Sequence, residues 1–151
     1  MNRVTAYKSI ALVLCLSLLA PAFAGAQDDD EDLKAFATYQ LTVANVRKTK
    51  AALDELSKLK YEAPVKQDDE TFDALIRRIE QNPRMMGILR GAGISAKDFT
   101  STLTIVTAVG MAMAMDPSGK SLPPYARGHQ KFMTENTKDV QPLLQLVFGD
   151  Q

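Results

Sequence analysis

Ile94-Ser95-Ala96-Lys97-Asp98-Phe99 opens the stretch that decides the fold, because behind it the chain runs without a charged residue to Met115. Ser95 supplies a hydroxyl where a helix needs an N-cap, Asp98 follows three residues later, and Ile94 and Phe99 flank the cap as an apolar pair. This is a capping box with a hydrophobic staple, which satisfies backbone N–H groups left open by the first helical turn. It predicts a helix from Ala96 to about Met115. Phe99, Leu103, Val106, Val109 and Met113 recur on one face, and Ile105, Ala108, Met111 and Ala112 widen the apolar surface nearly all the way round. A helix of that kind belongs at the centre of a bundle.

Two rivals compete for the same residues. Thr100, Thr102, Thr104 and Thr107 interleave with Leu103, Ile105 and Val106, and β-branched side chains favour strands. The alternation is imperfect, whereas the cap is specific, so the helix is the better reading. A membrane span is the other rival. Residues 99–115 are short for a bilayer core that needs about 20 apolar residues, and they are rich in threonine.

Working outward, the first residues read as an export signal. Arg3 and Lys8 precede an apolar run over residues 10–19, then Pro21 and the small-residue patterns Ala22-Phe23-Ala24 and Ala24-Gly25-Ala26. Residues 1–26 are therefore expected to be a signal peptide cleaved after Ala24 or Ala26, sending the protein to the periplasm or outside the cell. Cys15 follows Leu14, where a lipoprotein signal would carry a small residue, so no lipid anchor is expected. Cleavage would leave no cysteine, hence no disulfide and no thiol chemistry. Removing Arg3 and Lys8 from the 18 basic residues leaves 16 against 18 acidic ones, a net charge of −2. That balance points away from nucleic acid as a partner and from a strongly cationic membrane binder. No membrane span is expected once the signal is removed.

The rest of the chain reads as helices separated by turn signals. Residues 27–32 hold five adjacent acids and are expected to be a disordered leader that feeds negative charge into the next helix. They lack the alternating ligands and glycine of a calcium loop. Residues 33–60 contain no proline or glycine, and Leu33, Phe36, Tyr39, Val43, Val46, Leu53 and Leu56 recur at helical steps, predicting one long amphipathic helix. Lysines on that helix alternate with Asp54 and Glu55 and have no interleaved aromatics to stack bases. After a loop at Pro64, Asp68 and Asp69 are placed to cap a helix carrying Phe72, Leu75, Ile76 and Ile79. Asn82-Pro83 begins a short helix closed by Gly91 or Gly93. Pro123-Pro124 begins another with Tyr125, His129, Phe132 and Met133. Asn136 and Thr137 are placed to cap a final one, in which Pro142 sits in the first turn or kinks it. The absence of tryptophan and the scarcity of hairpin signals lean the same way. The prediction is an all-α fold, a compact bundle of about five helices around residues 96–115, in one domain over 33–149.

Chemistry is sparse. His129 is the only histidine and nothing in the sequence pairs it with a nucleophile, so it reads as a packing or hydrogen-bonding residue. No zinc spacing is present and no pair of carboxylates stands out. Gly91-Ala92-Gly93-Ile94-Ser95-Ala96 fits a loose dinucleotide fingerprint, but a helical pattern precedes it where a strand is required. No catalytic residue and no resident cofactor are expected. Met111-Ala112-Met113-Ala114-Met115 is the one suggestive pattern, since thioethers suit Cu(I) outside the cytosol. On a helix Met111 and Met115 share a face while Met113 lies about 200° away, which leaves Met111 and Met115 as the copper candidates. Methionine as adaptable core filler is the commoner use.

The order of signal peptide, long helix, Asn82-Pro83 turn, Gly93-Ile94-Ser95 ahead of an alanine- and methionine-rich helix, and Leu122-Pro123 followed by Phe132 and Asn136 resembles small secreted bacterial proteins of uncharacterised function. The resemblance covers most of the mature chain and implies an exported α-helical protein, with no site residues attached. The expected function is accordingly a non-enzymatic binding or interaction role with a protein partner. Carriage of a small apolar ligand between the helices is the alternative, and periplasmic Cu(I) binding a further one.

Overall fold

Ser95 does what its position demands. In the computed structural model its Oγ accepts from the Asp98 backbone N–H at 3.0 Å and donates to the Asp98 carboxylate at 2.7 Å, and the helix it starts runs Ala96–Met115. The structure describes residues 30–59, 70–120 and 122–149. The expected signal peptide, leader residues 27–29 and the loop around Pro64 lie outside the described residues.

Seven helices and no strand are found among them, so the fold is all-α. They are α1 (Asp30–Thr38), α2 (Val43–Lys58), α3 (Phe72–Glu80), α4 (Pro83–Ala92), α5 (Ala96–Met115), α6 (Pro124–Glu135) and α7 (Thr137–Phe148). The extra members over the expected five arise partly because the long helix predicted over residues 33–60 is broken at residues 39–42. Thr42 is extended and its side chain accepts from the Asn45 backbone N–H, so a new N-cap interrupts a region with neither proline nor glycine. Asp30, Glu31 and Asp32, expected in the leader, form the first turn of α1, where the helix dipole favours acids. Thr71 caps α3 through the Ala74 backbone N–H, the role the sequence reading gave to Asp68 and Asp69, which lie outside the described residues.

α5 packs against α2, α3, α4, α6 and α7. Its residues 99–107 are all buried, together with Ala96, Val109 and Ala112. By length and apolarity it is the one helix among the described residues that could cross a bilayer, yet most of it is enclosed by its neighbours. Phe99, Leu103, Leu75, Met85, Leu89 and Leu143 are the largest side chains sealed in that core. Full burial of each such side chain is worth roughly 1.5–3 kcal/mol, so the core outweighs any single surface contact.

Corners around α5 are set by local chemistry. Asn82 caps α4 through the Met85 backbone N–H, with Pro83 in its first turn. Gly93 then adopts φ 69°, and the Ile94 N–H returns to the Leu89 carbonyl, a left-handed helix end that a side chain would strain. At the other corner Asn136 donates to the Phe132 carbonyl and Thr137 to the Thr134 carbonyl. Both side chains therefore secure the end of α6 and neither caps α7. Pro142 lies well inside α7, which continues past it. Arg47 on α2 holds Asp139 on α7 at 2.7 Å, and Arg78 grips Glu70 with two nitrogens ahead of α3.

Gly87 and Gly91, one turn apart on α4, are exposed, and a Cβ built at either meets nothing within 4 Å. Glycine inside a helix costs about 0.5–1 kcal/mol relative to alanine. Gly87→Ala and Gly91→Ala should each raise the urea unfolding free energy by about that much, with the helical circular dichroism unchanged. A loss of stability from either would mean that the α4 surface is covered.

Candidate functional site

Polar side chains inside the described residues gather at the start of α5. The break between α1 and α2 brings Tyr39 and Asn45 onto Asp98 and Thr102. The Tyr39 hydroxyl lies 3.0 Å from Asp98 Oδ1 and 3.0 Å from Thr102 Oγ1, while Asn45 Nδ2 donates to it at 2.9 Å. The phenol has one proton, and the carboxylate can only accept. Tyr39 therefore donates to Asp98 and accepts from Thr102 and Asn45. Asp98 is engaged on its other oxygen by Ser95. Burial pushes the Tyr39 hydroxyl above its usual range; hydrogen bonds from Thr102 and Asn45 pull the other way, and the negative charge of Asp98 adds to the rise. A phenol held protonated by a carboxylate that is itself bonded to a serine and an asparagine is a structural tie.

His129, the histidine of the sequence analysis, is buried on α6, and its Nε2 lies 2.9 Å from the Phe36 carbonyl oxygen. A carbonyl only accepts, so Nε2 carries the proton. Phe36 stands near the end of α1, where the carbonyls have run out of intrahelical partners. His129 thus ties α1 to α6, and the Phe36 ring meets Phe72 edge-on at 4.8 Å. The packing and hydrogen-bonding role read from the sequence matches this placement.

Besides Thr102, which meets Tyr39, four threonine hydroxyls of the core fall into two pairs. Thr100 and Thr107 donate to the carbonyls one turn back, at 2.7 and 2.6 Å. Thr49 on α2 and Thr104 on α5 are buried, with no hydrogen-bond partner for Oγ1 among the described residues.

The methionines separate as helical geometry requires. Met85 and Met133 are buried; Met86, Met111 and Met113 are half-buried; Met115 is 78% exposed. Met111 and Met115 lie one turn apart on α5, and Met113 lies on another side, so three sulfurs do not converge. Among the described residues no group of three His, Cys, Asp or Glu side chains is placed to hold a metal ion. Gly91 and Ala92 are the last residues of helix α4 and Gly93 ends it, so a helix stands where a dinucleotide site requires a strand. Met115 and Leu59 are the large apolar residues left exposed among those described. Sequence periodicity missed both, because it reports which side of a helix is apolar and not how far the neighbours reach along it.

Scans against protein-family models, characterised proteins and solved structures each found no match.

Tyr39→Phe should cost about 1–2 kcal/mol, because it removes one hydroxyl and leaves Asn45, Asp98 and Thr102 to find other partners. The pH dependence carries a sign. The folded-state pKa of Tyr39 is raised above that of the unfolded chain, so its contribution is complete below about pH 10 and is lost as pH rises through the folded value. Urea titrations should show wild-type stability falling more steeply above about pH 10 than that of the Tyr39→Phe protein. Thr104→Val should raise stability by about 1 kcal/mol, since it removes a buried hydroxyl without a partner. A drop in the unfolding midpoint would show that the hydroxyl is satisfied.

Proposed function

We propose that the protein is an exported, non-enzymatic helical binding protein whose contact surface is the methionine-bearing end of α5. The observation that carries this reading is Met115: the last residue of the most deeply enclosed helix is 78% exposed. Ala114 beside it is exposed, and Met111 and Met113 are half-buried behind it. An unbranched thioether adapts to the shape it meets, and methionine is over-used at surfaces that bind proteins.

The two polar clusters support the same reading from the other side. Tyr39, Asp98 and His129 are each occupied in joining helices, which favours a binding role over catalysis. Beside Met111, a Cβ at Gly110 would lie 2.7 Å from Leu144 Cδ2, so α5 and α7 meet side chain to backbone there. That close approach favours contact with a protein over a small apolar ligand held between these helices. Cu(I) would find two thioethers, Met111 and Met115, on one face. Export rests on the pattern of residues 1–26.

A photoreactive diazirine side chain placed at Met115 and expressed in the cells of origin tests the reading. The expected result is one discrete cross-linked polypeptide, which does not form from the exposed helix position Lys131. Adducts that are the same at both positions, or none at Met115, would overturn it.

A further inference from the structure

We propose that Met115 is a modification site, at which a hydroperoxide oxidises the thioether to the sulfoxide in the folded protein ahead of the other described methionines. In deepening the preceding proposal, this makes the apolar end of α5 a surface that oxidation switches off, and that consequence rests on the docking reading. The site itself rests on exposure and on the chemistry of sulfur.

The reaction needs the peroxide oxygen to reach a sulfur lone pair. An S–O bond forms as the O–O bond breaks; the thioether is oxidised by two electrons, and the proton of the transferred hydroxyl passes to the departing hydroxide or alkoxide, which leaves as water or an alcohol. Met85 is 0% and Met133 4% exposed, so neither sulfur can be approached without opening the core. Adding an S=O dipole there would also leave a polar group among apolar neighbours. Met86, Met113 and Met111 are half-buried. Met115, 78% exposed, is the last residue of its helix, next to the small side chain of Ala114. The helix-closing bond there, from the Asp116 N–H to the Ala112 carbonyl, involves no side chain of Met115.

Oxidation at this position therefore leaves the fold alone and changes only the surface. A flexible apolar side chain becomes polar and chiral, and it loses its affinity for an apolar partner. Methionine sulfoxide reductases, one for each sulfoxide epimer, would restore the thioether. These are the parts of a reversible switch built from one residue.

Limiting hydrogen peroxide applied to the full chain, followed by peptide mapping in a mass spectrometer over time, tests the site. Met115 should gain oxygen at least about ten-fold faster than Met85 and Met133, and several-fold faster than Met111 and Met113. The far-ultraviolet circular dichroism and urea midpoint of the singly oxidised protein should be unchanged. Met115→Leu should remove the fast phase and leave the slow ones as they were. Met85 or Met133 oxidising in step with Met115, or a fast phase that survives in Met115→Leu, would overturn the assignment. The two proposals separate in a single comparison, in which cross-linking from a diazirine side chain at Ala114, beside Met115, is repeated after oxidation. Fast oxidation with loss of the cross-link supports both; fast oxidation with an unchanged cross-link supports the site and overturns its role in docking.

Discussion

Enclosing a helix that is apolar on nearly every side is the constraint from which the rest of this structure follows. α5 has no charged side chain to offer water over residues 99–107, and α2, α3, α4, α6 and α7 cover it. Cover of that kind takes hydroxyls out of water as well. Thr100 and Thr107 meet the demand within α5 by bonding to carbonyls one turn back. Thr102 meets it across the bundle through Tyr39. The same enclosure determines where α1 goes. Its last carbonyls need donors, and His129 supplies one from α6.

A difference between the two ends of α5 results. At the start, Ser95, Asp98, Thr102, Tyr39 and Asn45 form a connected set of hydrogen bonds that joins three parts of the chain. Networks of this kind are worth most when every member is satisfied, and they fix one arrangement of the helices. At the finish, the last turn carries no lysine or arginine, and Met115 stands clear of the core. Rigidity is concentrated at one end and adaptability at the other.

The fold was legible in the sequence wherever local chemistry decides. Ser95 and Asp98 announce the start of α5, Asn82-Pro83 that of α4, and Gly91 or Gly93 its end, of which Gly93 is the one used; each acts within a few residues of itself. What was not legible depends on distant partners. Tyr39 lies in an unbroken helical pattern, and its tie to Asp98 spans 59 residues, so nothing nearby announces the break between α1 and α2. Asp68 and Asp69 outrank Thr71 as caps on propensity, so the sequence points to them although Thr71 takes the role. His129 could be read as a hydrogen-bonding residue, but its carbonyl partner is 93 residues away. The candidate surface was hidden for a related reason. Met111, Met113 and Met115 continue the uncharged run of the buried part of α5, so the sequence does not mark where cover stops.

That combination bears on how a surface made of methionine can be specific at all. Three-bond side chains lose rotamer entropy when a partner fixes them, which weakens binding unless the backbone beneath is already in place. Here the backbone is a helix held at its far end by a fully bonded cluster and along its length by five neighbours. The partner has to order side chains only. Close approach of Leu144 to Gly110 extends that support to within two turns of Met115, so the platform is firm almost to its edge. A change confined to the edge, whether a larger side chain or one added oxygen, alters what the surface accepts while the cluster at Asp98 and the core around Phe99 stay as they are.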